Sequence, residues 1–528
     1  LRWILPSLSD CLFLAVLVWL FATGSGGWVG LLADGDSGWH IRTGEWILEH
    51  GTVPKVDLFS FSKAGQPWFA WEWLTDILYA TLHAAAGLKG LVLLSGLLIA
   101  GFGTLLFRHM IWRGATPFAA LVTSLLVFGA SSIHFLARPH VFTLLGLTVA
   151  AWMIDADRRE PSRRIWLLVP LTAIWVNLHG GFLGLIACLG LLFAGTALES
   201  TVVHLTGGRG QWESVRRYGL LLCLCGAASF VNPYGYRLHA HILAYLRSDW
   251  IKNNVQEFQS PVFRSENMLQ FEIMLFAGVM TVLYLVSRRE FVGALWILFW
   301  GHSALTSARH VPIYMILAAP FVAQALTVLW SRYVEPAPRT SFRGIFASLA
   351  RDITPNCRRS SVWVPVAALL LCLAPEPLVR WPKDYPELKF PVNMVAKHGP
   401  KLVAGRTLMP DQWADYAIYR QYPAQKVYVD GRSDFFGKEI GDEYLKMMQG
   451  QWEWESLLAR NRFDYVLCPL EWPLGSLLKQ SRAWTLLEDD GQALLFQRLP
   501  ERGDSARHAS RRAVGEAKKA SSLSNENP

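Results

Sequence analysis

The sequence predicts an α-helical, polytopic membrane protein of about eleven transmembrane helices, followed by a small C-terminal α/β domain outside the bilayer. Three observations predict it. Of 528 residues, 52% are hydrophobic and only 17% charged, against roughly 25% charge in an average soluble domain. Up to about Pro375 the apolar residues fall in repeated blocks of roughly 17–25, the length a helix needs to cross about 30 Å of hydrocarbon. Beyond that point the composition becomes that of an ordinary globular chain.

The expected spans lie near 10–32, 88–112, 116–136, 140–156, 165–180, 181–203, 218–236, 269–287, 291–307, 310–331 and 361–375. The first block lacks a small-residue cleavage site and reads as a retained helix. With the N-terminus inside, every even-numbered span ends in a basic loop. These loops hold Arg108 and Arg113; Arg158, Arg159, Arg163 and Arg164; Arg209, Arg216 and Arg217; Arg288 and Arg289; and the arginines from Arg332 to Arg359. Lys and Arg resist translocation, so this pattern fixes orientation. It also accounts for the net charge of +9 without nucleic acid as a partner. An odd number of spans then places the C-terminal domain outside the cytoplasmic membrane, on its periplasmic face. The organisation expected is a multispan core over 1–375 with a first outer loop at 33–87, an α/β domain over 376–499, and a disordered basic tail at 500–528. The seven Cys suggest neither a disulfide framework nor a Cys-based metal site, and no internal repeat is evident.

The same orientation sends the unusual polar clusters to the outer face. They are "DGDSGWH" with Asp34, Asp36 and His40, "ARPH" with Arg138 and His140, "WVNLHGG" with Asn177 and His179, "VNPYGY" with Asn232, and "SARHVP" with Arg309 and His310. Ionisable groups at membrane depth are costly and tend to line a cavity or pathway. Glu72 stands where the first outer loop returns to the membrane. A helix starting after Asp36 gathers Arg42, Glu45 and Glu49 in one sector and Trp39, Thr43, Trp46 and Ile47 on another face. Read alone, Asp36 is an N-cap. Arg138 and Arg309 read equally as interfacial snorkelling residues, the histidines as packing residues, and Asn232 as part of a turn. A divalent cation held by Asp34, Asp36 and His40 is a candidate cofactor on donor chemistry alone.

The first outer loop resembles that of the GT-C superfamily, membrane glycosyltransferases that take sugars from polyprenyl-phosphate carriers and include the protein mannosyltransferases and the aminoarabinose transferases of lipid A. Asp36, Gly51 and the Pro-x-x-Asp-x-Phe element Pro54, Asp57 and Phe59 carry the resemblance, within about sixty residues. Ser37 stands where many members have a second acidic residue, and His40 where an aromatic is common. The resemblance implies a glycosyltransferase acting at the outer face. Asp36 would take the acceptor proton, with Asp34 or Glu72 as second carboxylate. Arg138, His140, Arg309 and His310 would hold the donor phosphate, and His40, Asn177, His179 and Asn232 would line the pocket. The partners implied are a polyprenyl-phosphate-linked sugar, membrane lipids, and a lipid, glycan or protein acceptor. A transporter or flippase of a lipid-linked or anionic solute, and a non-catalytic assembly protein of the same fold, remain alternatives.

In the C-terminal domain "KVYVD", "FDYVLCP" and "ALLFQRL" read as strands, and "GDEYLKMMQGQWEWESLLARN" as helical. "YVDGRSDFFG" reads first as a turn, and otherwise as an acceptor site using Asp430, Arg432 or Asp434.

Overall fold

A computed structural model describes residues 3–21, 27–265, 267–357, 359, 361–375 and 379–500. The basic tail, expected to be disordered, lies outside the described residues apart from its first position. The chain divides into two compact units: residues 1–58 with 65–386, and residues 59–64 with 387–528.

The first unit is helical, and the chain is a multi-pass membrane protein. Five helices are long and apolar enough to cross a bilayer: Leu88–Arg113, Pro117–His134, Phe182–Leu205, Met268–Ser287 and Ala308–Tyr333. The expected number of about eleven is therefore not reached among the described residues, because an apolar run is not the same thing as an unbroken helix. The block 165–180 is α-helical only over Leu168–Trp175, where "NLHGG" ends it. The block 218–236 belongs to Trp212–Ala228, whose first turns carry Glu213, Arg216 and Arg217. His140–Arg159 ends on Asp155, Asp157, Arg158 and Arg159. Leu8–Phe21, Phe291–Thr306 and Trp363–Leu373 are apolar but shorter.

Local chemistry sets the helix ends. Leu88–Arg113 stops at Gly114, whose φ of 101° only Gly adopts freely, and whose N–H closes on the carbonyls of Ile111 and Met110. Pro117 sits at the first turn of the next helix, and the Thr116 side chain caps it by accepting the Ala119 N–H. Leu88–Arg113 packs against Leu8–Phe21, His140–Arg159 and Val311–Tyr333, burying Leu91, Ile99, Phe102 and Phe107 completely. Several arginines of the basic loops are ion-paired: Arg113 with Asp155 at 2.5 Å, Arg158 with Glu199 at 3.0 Å and Arg217 with Asp157 at 2.8 Å.

Two shorter helices of the first unit carry the site. Ser37–His50 ends at Gly51, whose φ of 66° places it in the left-handed region as a C-cap, with its N–H on Ile47 O. That conformation accounts for a Gly at this position of the loop. The second helix is Trp73–Ala86. The two cross at Gly44, where a Cβ would lie 1.9 Å from the Asp76 carbonyl oxygen. Only the missing side chain allows the approach, and the approach places His40 against Asp76.

The second unit contains a four-stranded sheet in the order β1 (Thr407–Leu408), β2 (Tyr465–Pro469), β4 (Ala493–Arg498), β3 (Trp484–Asp489). β1 runs parallel to β2, and the other pairs are antiparallel. "FDYVLCP" and "ALLFQRL" form strands as expected. "KVYVD" does not join the sheet; Val427 instead makes a single bridge with Ser60 of the first loop, sharing backbone hydrogen bonds with Phe59 and Phe61 at 3.0 and 2.9 Å. Residues 59–64 and the C-terminal domain therefore share one aqueous phase. In "YVDGRSDFFG" the chain passes from the Val427 bridge to a helix that opens at Ser433. Arg432 is buried in an ion pair with Asp430, Nη2 to Oδ2 at 2.6 Å and Nε to Oδ1 at 2.8 Å. Its guanidinium lies 5.0 Å from the rings of Phe59 and Phe435, an arrangement in which the charge is matched before it is desolvated.

Candidate active site

Asp36 immediately precedes a helix but does not cap it: its backbone is helical and its side chain makes no cap hydrogen bond. The carboxylate turns to Arg138 instead, with Oδ2 at 2.5 Å from Nη2. Asp34 Oδ2 accepts from Nη1 of the same guanidinium at 3.0 Å, while its Oδ1 accepts the Asp36 N–H at 3.0 Å. The planar fork of one arginine thus holds two carboxylates from one tight turn. Ser37 explains how the partners meet: its hydroxyl donates to the Ala137 carbonyl at 2.8 Å, and the Ala137 N–H donates to Leu31 O at 2.7 Å. The residue that departs from the GT-C acidic pair ties the first loop to the segment bearing Arg138. Burial works against the Arg138 charge, but Asp34, Asp36, Glu257 and Glu72 outweigh it and hold the group firmly protonated.

A second cluster stands beside the first. His40 Nδ1 lies 2.6 Å from Asp76 Oδ1, and its Nε2 lies 3.6 Å from Glu72 Oε2. His179 Nε2 approaches the other Glu72 oxygen, also at 3.6 Å. His179 Nδ1 accepts the Gly181 N–H at 3.0 Å and meets the Thr143 hydroxyl at 2.7 Å, so the ring proton belongs on Nε2, facing Glu72. Thr143 in turn accepts the indole N–H of Trp175 at 3.1 Å.

The third element is Arg309, from the far end of the first unit. Its nearest carboxylate is Glu257, at 3.6 Å, and its guanidinium lies 4.3 Å from the Phe258 ring. Burial alone would raise the Glu257 pKa; Arg309 and then Arg138 reverse that and hold it at about 2. His179 is pushed to about 3 by burial, then by Arg309 and Arg138. One imidazole and one carboxylate thus feel both guanidinium groups, although residues 138 and 309 are far apart in sequence.

The remaining expected residues are placed as follows. His140 Nε2 donates to the His134 carbonyl at 2.5 Å, its ring 6.3 Å from that of His179. His310 lies with Nδ1 3.2 Å from Ser303 O. Neither nitrogen so engaged is available to a phosphate. Asn177 accepts the Trp73 indole N–H at 2.7 Å and donates to Ala173 O and Val231 O, both at 2.8 Å, so it fastens neighbouring segments. Asn232 shapes its own turn, accepting the Tyr234 N–H at 2.9 Å. That turn presents Tyr234, whose hydroxyl accepts the Ala70 N–H at 2.9 Å and donates to Pro54 O at 3.3 Å, bracing the first loop.

Asp76, Glu257 and Thr143 escape sequence reasoning. Asp76 had a readable signal, a carboxylate one helical turn after Glu72 in "WEWLTDILYA". Glu257 and Thr143 had none. Among the described residues, no three His, Cys, Asp or Glu side chains are arranged to hold a metal ion. Asp34 and Asp36 face Arg138 and His40 faces Asp76, so the donor set considered for a divalent cation is engaged with other partners.

These elements build the fold also seen in the oligosaccharyltransferase structures of Archaeoglobus fulgidus. No family model and no curated protein matches the sequence; solved structures do. The chain is similar to the oligosaccharyltransferase of Archaeoglobus fulgidus in its apo form, at a TM-score of 0.52 and 12% identity over 88% of this chain and 69% of that one. Against the archaeal oligosaccharyltransferase AglB of the same organism, in complex with an inhibitory peptide and a dolichol-phosphate, the TM-score is 0.52 and the identity 12%, over 94% and 74%. ArnT from Cupriavidus metallidurans in the apo state gives 0.46 and 13%, over 93% and 99%.

Proposed function

We propose that the chain is a membrane glycosyltransferase that moves a sugar from a polyprenyl-phosphate carrier to an acceptor at the outer face of the cytoplasmic membrane. The observation that carries the reading is the gathering of Arg138, Arg309, Asp36, Glu72 and Glu257 in one electrostatic cluster of the first unit. Transfer needs cationic donors for the departing phosphate and a carboxylate for the acceptor proton, and this cluster holds both. The two arginines divide the work. Arg138 is committed to Asp34 and Asp36 at hydrogen-bond distance. Arg309 stands 3.6 Å from Glu257, beyond the usual range of about 2.7–3.2 Å, so a phosphate oxygen can take that place. The carrier's apolar tail would stay among the helices, which explains a lipid-linked donor on a face where nucleotide sugars are not supplied.

The test is purified protein in lipid nanodiscs with a panel of short-chain polyprenyl-phosphate sugars, beside Arg309→Gln and Asp36→Asn. Transfer or donor hydrolysis by the native chain, with loss in both folded variants, supports the reading. Movement of intact labelled lipid across vesicles without bond cleavage would replace it with transport.

A further inference from the structure

We infer that the helix Phe342–Ile353 lies in the plane of the membrane surface, with Phe342, Ile345 and Leu349 among the acyl chains and Arg339, Arg343 and Arg351 on anionic phosphate headgroups. The inference goes beyond the proposed reaction and does not depend on it. In the sequence this stretch is a basic loop, whose arginines serve only to fix orientation. Folded, it is a helix of 12 residues, about 18 Å long. That is too short for a hydrocarbon core of about 30 Å, so it does not cross.

Its two faces are arranged opposite to those of a helix in water. Gly344, Ala347 and Ala350 are buried against the rest of the unit. The large apolar residues point away from it: Phe342 is 76% exposed, Ile345 55% and Leu349 45%. They recur every third or fourth residue, which aligns them in one stripe. A helix bathed in water turns its large apolar side chains to the protein and its polar ones outward, so the medium on this stripe is apolar.

The fold holds the helix at the ends of two spanning helices. Phe346 touches Phe118 with ring centroids 5.4 Å apart, and Phe118 stacks on Trp330 at 5.6 Å. Phe118 lies in the first turn of Pro117–His134, and Trp330 in the last turn of Ala308–Tyr333. Beyond Phe118, on the same face of its helix, Val122 and Leu125 are exposed. That face meets hydrocarbon in any bilayer the helix crosses, and Phe342–Ile353 adjoins its end. The turn before the helix sets its direction. Ser341 accepts the Gly344 N–H at 3.1 Å, and Gly344 packs so closely under Pro338 that a Cβ would fall 2.0 Å from its carbonyl oxygen.

The charge beside the stripe selects the lipid. Arg113, Arg158 and Arg217 are ion-paired within the unit. Arg339, Arg343 and Arg351 are exposed, and among the described residues no carboxylate pairs with them; Arg343 donates to Tyr333 O at 3.2 Å. Between Arg332 and Arg359 only Glu335 and Asp352 are acidic, so the segment is basic on balance. Arginine side chains flanking an apolar stripe reach the headgroup level, where each adds to the attraction for anionic lipid.

The test uses the full-length protein in phosphatidylcholine nanodiscs, native cysteines replaced, with a bimane label on Ile345→Cys and, as the lipid-facing reference, on Val122→Cys. The quenchers are aqueous iodide and, at equal mole fraction, phosphatidylglycerol or phosphatidylcholine carrying a doxyl group near the headgroup. The doxyl lipids should quench the Ile345 label to within about twofold of the Val122 label, and iodide should quench it weakly. Phosphatidylglycerol should quench it about threefold or more better than phosphatidylcholine, and this ratio should fall toward one in Arg339→Gln/Arg343→Gln/Arg351→Gln. Strong quenching by iodide places the stripe in water and overturns the inference. Protection from iodide and doxyl lipid alike means that a protein surface, such as a second copy of this chain, covers the stripe, and overturns it too. Equal quenching by the two lipids, or a ratio unchanged in the triple variant, overturns the anionic contact. None of these readouts depends on turnover, so they stand or fall apart from the transferase reading.

Discussion

Arg138 gathers carboxylates from three parts of the chain, and its neighbours pay for no charge by themselves: Asp34 and Asp36 are matched by its fork, Glu257 by Arg309, and His179 stays neutral. That neutrality has a measurable consequence. The His179 imidazole is held at about 3 in the folded protein, while an unfolded histidine titrates near 6.5. Below about pH 6.5 the unfolded chain binds a proton that the folded chain refuses, so stability falls as pH falls. Glu257, held at about 2, adds a loss of the same sign once pH drops below the ordinary carboxylate range. The apparent Tm in detergent should therefore decline from pH 7 to pH 5, with His179 contributing on the order of 2 kcal/mol, and His179→Gln should flatten that slope. A Tm independent of pH in this window would contradict the burial argument. At this scale the sequence revealed the residue types and their concentration in a few loops, since Asp34, Asp36, His40, Glu72, Arg138, His179 and Arg309 all stood out. It did not reveal pairing: that Arg138 serves two aspartates, or that His40 needs Asp76, depends on distances no spacing along the chain encodes.

Two glycines of the first loop show how elements are positioned by what is missing from a side chain. Gly44 lies where the helices Ser37–His50 and Trp73–Ala86 touch, and an added Cβ would fall 1.9 Å from backbone oxygen. Gly51 has open space around it but a φ of 66°. Gly44→Ala must push the helices apart and should cost about 1–3 kcal/mol by overpacking, with a larger loss of turnover because His40 leaves Asp76. Gly51→Ala should cost only about 1 kcal/mol in backbone strain and leave kcat nearly native. Thermal melts and turnover on the two variants check the contrast; equal effects would mean the crossing is slack. Gly51 was legible as a motif residue, and its role as a C-cap follows from the end of the periodic pattern before it. Gly44 was not legible, because a glycine inside a helical pattern says nothing about which helix approaches it.

Across the whole molecule, orientation is the claim that can be tested most directly. With native cysteines replaced, Gln66→Cys in the first loop should react with a membrane-impermeant thiol reagent in intact cells, and Arg209→Cys should react only after lysis. The reverse pattern would place the carboxylate cluster in the cytoplasm and remove the case for a lipid-linked donor. The sequence by itself determined that this is a multi-pass membrane protein with a C-terminal α/β region and acidic, basic and imidazole groups concentrated at a few loops, because hydrophobic run length and charge distribution are properties of the chain read in order. Only the tertiary structure decided where apolar runs break into shorter helices, that residues 59–64 fold with the C-terminal unit, and which carboxylate each cation holds. Those outcomes depend on backbone conformation and on contacts between segments distant in sequence, where ångström differences in separation choose the partner.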